Sequence, residues 1–336
     1  MRRDHHRLTR RAALTGLAAS MAAGSVIPPL ARPAIAQSAW PNRPVRLIVP
    51  YAAGGGTDTL ARPWSEKLQQ AFGPAFVIDN RGGASGTIGA EAAARSAPDG
   101  YTFLFTPNSA LNVLPQLRKV AYDAKKDFLP VGRAGDLVGA FAMHPALGIK
   151  SMAEAIAYAK ANPGKLSYAS SGLGTSTHMR IEMVKLKAGV DILHVPYRGG
   201  GDALTDVLAG NVHIMNDIVV YPHAKAGKLN LLAISHQRRN PDFPDVLTLT
   251  EAGYPNSDVP IWFSIWAPAG TPAEIITIFN RKMAEIVASP DMHKRARDIS
   301  IALPGGRNSA ADLMTFYDAD TADNTKLIRE AKISLS

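Results

Sequence analysis

The chain has 336 residues, 46% of them hydrophobic and 19% charged, with a formal net charge of +9 and no cysteine. The missing cysteine excludes thiol catalysis, disulfides, thiolate metal sites and a lipid-modified N-terminal cysteine. Six Arg and one Asp fall in the first 36 residues, leaving +4 on the rest, and no Lys/Arg stripe interleaved with aromatics points to nucleic acid.

Residues 1–36 read as an export signal. Arg2, Arg3, Arg7, Arg10 and Arg11 form a basic head, Ala12 to Leu30 a small-residue apolar run, and Ala34-Ile35-Ala36 a cleavage site before Gln37. Thr9-Arg10-Arg11-Ala12-Ala13-Leu14 resembles a twin-arginine motif. The apolar run is too interrupted for a membrane span, so a periplasmic product is expected.

Short β-branched runs then alternate with amphipathic segments, the pattern of an α/β fold with mostly parallel sheets. Strands are expected at Val45–Val49, Phe76–Asp79, Thr102–Thr106, Gly139–Met143, Leu166–Ala169, Asp191–Val195, His213–Asn216, Leu229–Ser235 and Trp262–Ala267. Helices are expected at Thr59–Phe72, Ile88–Ser96, Ser151–Asn162, Thr177–Ala188, Gly201–Ala209, Pro272–Ala288 and Ala310–Arg329. Ser151, three residues before Glu154, marks a capping box. Pro63 falls inside the first helix, where it removes a hydrogen bond.

Two strand–glycine–helix junctions carry the functional signal. The first is Val45-Arg-Leu-Ile-Val-Pro-Tyr51-Ala-Ala53-Gly54-Gly55-Gly56-Thr57-Asp58, the second Leu166-Ser-Tyr-Ala-Ser-Ser-Gly172-Leu-Gly174-Thr175-Ser176-Thr177-His178. Such a turn leaves backbone N–H groups facing outward at the positive end of a helix dipole, which seats an anion. No Lys-Ser/Thr follows the glycines, so a nucleotide phosphate loop is disfavoured. Val131 to Ala140 and Asp258 to Ser264 read as two crossings between lobes. They divide the chain into a first lobe of 37–138 plus 262–336 and a second of 139–261, with a hinge and a ligand cleft between them.

The chain also resembles the periplasmic solute-binding proteins of tripartite tricarboxylate transporters, the Bug family. The resemblance rests on Trp40-Pro-Asn-Arg-Pro-Val-Arg46, Val49-Pro-Tyr-Ala-Ala-Gly-Gly55, Asn80-Arg81 before glycines, Ala97-Pro-Asp-Gly-Tyr-Thr102 and Asn162-Pro-Gly-Lys-Leu166. Gly172-Leu-Gly-Thr-Ser-Thr-His-Met179, His194-Val-Pro-Tyr-Arg-Gly199, Ala226-Gly-Lys-Leu229 and Ala267-Pro-Ala-Gly-Thr-Pro272 complete it. It implies a two-lobed periplasmic-binding-protein-like fold of type II and no enzyme, cofactor or metal. The implied partners are a small carboxylate and the permease subunits of such a transporter, and the implied state is a monomer. The implied ligand-binding residues are Tyr51, Ala53, Gly54, Gly55, Thr57 and Asp58 on the first turn. Gly174, Thr175, Ser176, Thr177 and His178 follow on the second, with Tyr197 and Asp217 facing the cleft. Asp217 is expected to favour ligands with an amine or hydroxyl at the far end over a bare second carboxylate. A ligand sensor for a membrane receptor and a twin-arginine-exported hydrolase remain as alternatives, although no H-E-x-x-H or G-x-S-x-G motif is present.

Overall fold

The computed structural model describes residues 40–258, 260–306 and 308–330. The expected export signal lies outside these residues, apart from which the chain forms one unit from Pro41 onward. Among the described residues eleven strands build two sheets, each with its own buried cluster.

The first sheet runs in the order β11-β4-β10-β3-β1-β2. Its strands are β1 Val45–Val49, β2 Phe76–Asn80, β3 Thr102–Pro107, β4 Phe128–Leu137, β10 Trp262–Pro268 and β11 Ile301–Ala302. The second runs β7-β6-β8-β5-β9, from β5 Gly139–Met143, β6 Ser167–Ser170, β7 Leu193–Pro196, β8 Ile214–Asp217 and β9 Asn230–Ser235. The helices are α1 Gly56–Phe72, α2 Thr87–Ala94, α3 Leu114–Leu117, α4 Met152–Ala161, α5 Ser176–Ala188 and α6 Gly200–Leu208. They continue with α7 Val220–Lys225, α8 Ala273–Val287, α9 Pro290–Asp298 and α10 Ala310–Glu330.

Both sheets are mixed rather than mostly parallel. The β-helix-β units keep β1 parallel to β2 and β3, and β6 parallel to β7 and β8. The strands that carry the chain between sheets run the other way: β10 against β3 and β4, and β5 against β8 and β9. The returning segment re-enters beside the strand that left, so β10 runs antiparallel to β4, a direction that no local pattern encodes. Val131–Leu137, expected as part of a crossing, belongs to the ten-residue strand β4. Its pairing with β10 shifts register twice, as bulges and glycines in a strand allow. Gly135 has φ +151, and a Cβ there would lie 2.7 Å from Ile301 Cγ2.

Burial follows the sequence pattern. β3 is buried along its whole length and β1 everywhere but at Arg46, because helices pack on both strands. In α1 the residues Leu60, Ala61, Trp64 and Leu68 are buried on one stripe, and Trp64 Nε1 donates to Ala134 O at 3.0 Å. Pro63 sits within this helix, which tolerates the lost bond. Half of the expected capping box forms, with Glu154 N–H donating to Ser151 Oγ at 3.2 Å, while Glu154 Oε2 accepts at 2.7 Å from Lys150 N–H, one residue before the cap. Trp262 and Trp266 are buried edge-on against Phe316 and Tyr317 of α10. The chain enters the second sheet through Val138, where Leu137 N–H donates to Ile261 O at 2.8 Å and ties the outgoing segment to the returning one.

Candidate functional site

The first glycine turn connects β1 to α1. Gly54 has φ +78, a conformation glycine reaches without strain. Asp58 reaches back from the first turn of α1: its Oδ2 accepts from Gly54 N–H at 3.0 Å and from Arg62 Nε at 2.9 Å. Its Oδ1 accepts from Asn80 Nδ2 at 3.1 Å. The buried carboxylate thus braces the turn from inside and complements the helix dipole. The Tyr51 phenol donates to Ser85 O at 3.1 Å. Burial pushes its pKa up to about 12, against the opposing influence of nearby Ser109 and Arg118.

The second turn connects β6 to α5 and is held by its own side chains. Thr175 Oγ1 donates to Gly172 O at 2.7 Å and accepts from His178 N–H at 3.4 Å as the helix cap. Thr177 Oγ1 accepts from Ser171 N–H at 3.1 Å and lies 3.0 Å from Thr175 Oγ1. Gly174 N–H donates to His178 Nδ1 at 3.2 Å, which puts the imidazole proton on Nε2. The ring stacks 4.3 Å from His194, itself 4.6 Å from Tyr168. His194 Nε2 lies 2.6 Å from Ser170 Oγ. Burial lowers the pKa of His178 to about 4 and of His194 to about 3, so both rings are neutral near pH 7.

A third glycine turn, Gly199-Gly200-Gly201 at the start of α6, meets the first one directly. A Cβ on Gly55 would lie 2.9 Å from Gly200 N, one on Gly199 2.9 Å from Ala52 N, and one on Gly201 2.4 Å from Ala53 O. Only glycine permits backbones this close. Two further contacts cross between the sheets. Ser176 Oγ donates to Asn108 Oδ1 at 3.0 Å. Asp217, at the end of β8, accepts from Ile218 N–H at 2.6 Å and lies against the backbone of Gly56 at the start of α1, whose N–H favours its charged form. The two halves are therefore closed on one another.

Between them lies a narrow cleft with a cavity volume of about 30 Å³. Hydroxyls of Tyr51, Thr57, Ser109, Ser171, Thr175, Ser176 and Thr177 line it, with Pro107, Leu137, Ile261 and Phe263 as an apolar wall. Gly55, Gly56, Gly200 and Asp217 complete the lining, which among the described residues includes no Lys, Arg or His. Burial raises the Asp217 carboxyl to about 6, opposed by the N–H groups of Ile218, Val219 and Gly56 and by Arg180. Arg180 is itself fully buried, its Nη1 donating to Asn216 Oδ1 at 2.8 Å and to Ser235 Oγ at 2.9 Å.

The expected site residues divide accordingly. Tyr51, Gly55, Thr57, Thr175, Ser176, Thr177 and Asp217 reach the cleft wall. Ala53 and Gly54 pack against Gly201, while Asp58, Gly174 and His178 shape the turns from behind. Tyr197 lines an outer groove with Arg118 and Arg198, and its phenol donates to Asp206 at 2.6 Å. Sequence reasoning passed over Gly200, Ser109 and Ser171, although Arg198-Gly-Gly-Gly-Asp202 repeats the glycine–helix signal of the first turn. Among the described residues no cluster of three or more His, Asp or Glu could hold a metal ion, and no helix is long and apolar enough to cross a membrane.

A sequence profile of the Tripartite tricarboxylate transporter family receptor matches residues 60–333. The chain belongs to that family. It is 37% identical to Protein BugT of Bordetella pertussis over 262 residues, covering 76% of this chain and 79% of BugT. Among solved structures it is similar to Rpa4515 of R. palustris with adipate, at 35% identity and a TM-score of 0.84 over 88% of this chain and 99% of that one. MatC (Rpa3494) of Rhodopseudomonas palustris with bound malate is 28% identical, with a TM-score of 0.81 over 86% and 99%. The family and these neighbours are solute-binding receptors rather than enzymes.

Proposed function

We propose that this receptor is exported to the periplasm, captures a small carboxylate between its two lobes and presents it to the permease of a tripartite tricarboxylate-type transporter. The observation that carries this reading is the glycine-turn helix start of α5 facing a cleft walled by hydroxyls and free of cations, with the start of α1 opposite it served by Asp217. An anion held there is solvated by N–H and O–H groups rather than neutralised by a salt bridge. The adipate and malate held by two structural neighbours support a carboxylate.

The lobes comprise 37–138 with 262–336 and 139–261, and open about a hinge at the two crossings. The ligand docks in the open form, and closure adds the donors of the opposite lobe. Charge-assisted hydrogen bonds contribute roughly 1.5–3 kcal/mol each, so three or four support micromolar binding after the costs of association. A closed, loaded shape gives the permease something to distinguish from the empty protein.

A thermal-shift screen against mono-, di- and tricarboxylates and amino acids tests the reading. A carboxylate is expected to raise Tm in a concentration-dependent way. Stabilisation by sugars or cationic solutes, with silence from every acid, contradicts it.

A further inference from the structure

The hydroxyls of the second turn are already committed. Ser176 spends its proton on Asn108 Oδ1 and Thr175 on Gly172 O. Thr177 must then be the donor across its 3.0 Å contact with Thr175. The first-turn phenol of Tyr51 spends its proton on Ser85 O. Ser109 differs from all four. It is 1% exposed and lines the cleft, and the contact its Oγ makes is a poorly aligned one with the Tyr51 phenol.

The position of Ser109 is fixed by its neighbour. Asn108 holds Ser176 across the closed seam, which sets Ser109 opposite the first residues of α5. There the N–H groups of Ser176 and Thr177 are the unpaired donors of a helix start. Ser109 opens a π-helical turn, Ser109–Val113, and such turns recur at functional sites. A buried hydroxyl without a well-aligned partner costs free energy unless something else satisfies it.

Resting on the carboxylate reading above, we propose that Ser109 is a ligand-recognising residue. Its hydroxyl donates to the same ligand carboxylate that the Ser176 and Thr177 N–H groups meet from the other lobe. The second turn thus binds through its backbone, and the decisive side-chain donor comes from the first lobe.

Calorimetric titration of the wild type, Ser109→Ala and Ser109→Thr with malate, adipate and succinate tests this. Loss of one charge-assisted donor is expected to weaken binding of the bound acid about tenfold to a hundredfold in Ser109→Ala. Ser109→Thr, which keeps the hydroxyl, is expected to retain most of the affinity. The ligand-free Tm of Ser109→Ala is expected to be nearly unchanged, because the Tyr51 phenol keeps its bond to Ser85 O and loses only a poorly aligned contact. Equal affinity of Ser109→Ala and wild type overturns the assignment while leaving the carboxylate reading intact. Failure of the wild type to bind any of the three acids overturns both.

Discussion

Asp217, at the end of a strand in the second sheet, lies against the backbone of Gly56, whose N–H favours its charged form. Gly56 is the first residue of the helix that follows β1 in the first sheet. A Cβ on Gly56 would lie 2.5 Å from Asp217 Oδ1, and one on Gly200 2.5 Å from Oδ2. The carboxylate is gripped between two glycine turns that belong to different halves of the molecule. One of the two helix starts facing the cleft is therefore served by an anion of the protein itself. On the carboxylate reading proposed above, the ligand is left chiefly the other start, at Ser176. Asp217 acts as a clasp between lobes as well as a wall of the cleft.

Closure depends on backbone contact, so a single methyl group should block it. Gly201 lies within a helix, where alanine is favoured over glycine by about 1 kcal/mol, yet its Cβ would meet Ala53 O at 2.4 Å. Gly201→Ala is expected to leave each lobe folded, weaken carboxylate binding at least tenfold and increase the radius of gyration of the ligand-saturated protein in small-angle scattering. An unchanged radius with unchanged affinity would show that the seam has slack.

Asp217 also has a pH signature. Unfolded, its carboxyl titrates near 3.8, and burial raises it to about 6 in the folded protein. The folded state therefore binds the proton more readily, and the associated stability is present below pH 3.8 and lost as pH rises through 6. Asp217→Asn removes this loss, so its Tm relative to wild type is expected to climb between pH 4 and 7. The same variant should bind plain dicarboxylates more tightly at pH 7, since the like charge is gone. Tighter dicarboxylate binding by the wild type would count against the clasp's repelling a second carboxylate.

The histidine stack gives the opposite slope. His178 titrates near 6.5 when unfolded and near 4 when folded, because burial disfavours its charged form. The unfolded chain takes up the proton first as pH falls, so this contribution is full above pH 6.5 and drains away towards pH 4. The amount is about 3 kcal/mol. His178→Gln, whose amide oxygen can still accept from Gly174, is expected to show a flatter fall in Tm over that window. A fall as steep as the wild type's would exclude His178 as its source.

Among the described residues, Arg180 is the cation that bears on Asp217. Asn216 Nδ2 donates to Ser235 Oγ at 2.8 Å, a bond that does not need the arginine. Arg180→Met is therefore expected to fold, and to shift the Asp217 midpoint above about 6, read from the carboxyl carbon resonance. A midpoint that stays put would show that the guanidinium is screened from the cleft.

Much of this arrangement was legible in the residues. Val45–Val49 announces a buried strand, and the glycines after it announce a turn into a helix, because both signals are local. The strands β10 and β5 were legible as strands but not in direction, since direction is set by where the chain crosses between sheets. Gly199-Gly200-Gly201 carried the same local signal as the first turn. Its meaning lay in what it faces, and the backbone-to-backbone seam exists only in the closed fold. Ser109 was hidden for a different reason. A π-helical turn has no hydrophobic period, and a serine after Pro107-Asn108 reads as an ordinary loop. The roles of Thr175, Ser176 and Thr177 needed the hydrogen-bond partners, because sequence shows that a hydroxyl is present but not where its proton goes.

The most direct test of the central claim is calorimetry on protein stripped of any co-purified molecule by unfolding and refolding, titrated with malate, adipate and succinate. Saturable one-site binding in the micromolar range, lost in Gly201→Ala, is the predicted result. No heat with any acid, from protein shown to have refolded, would contradict a carboxylate held between these two lobes.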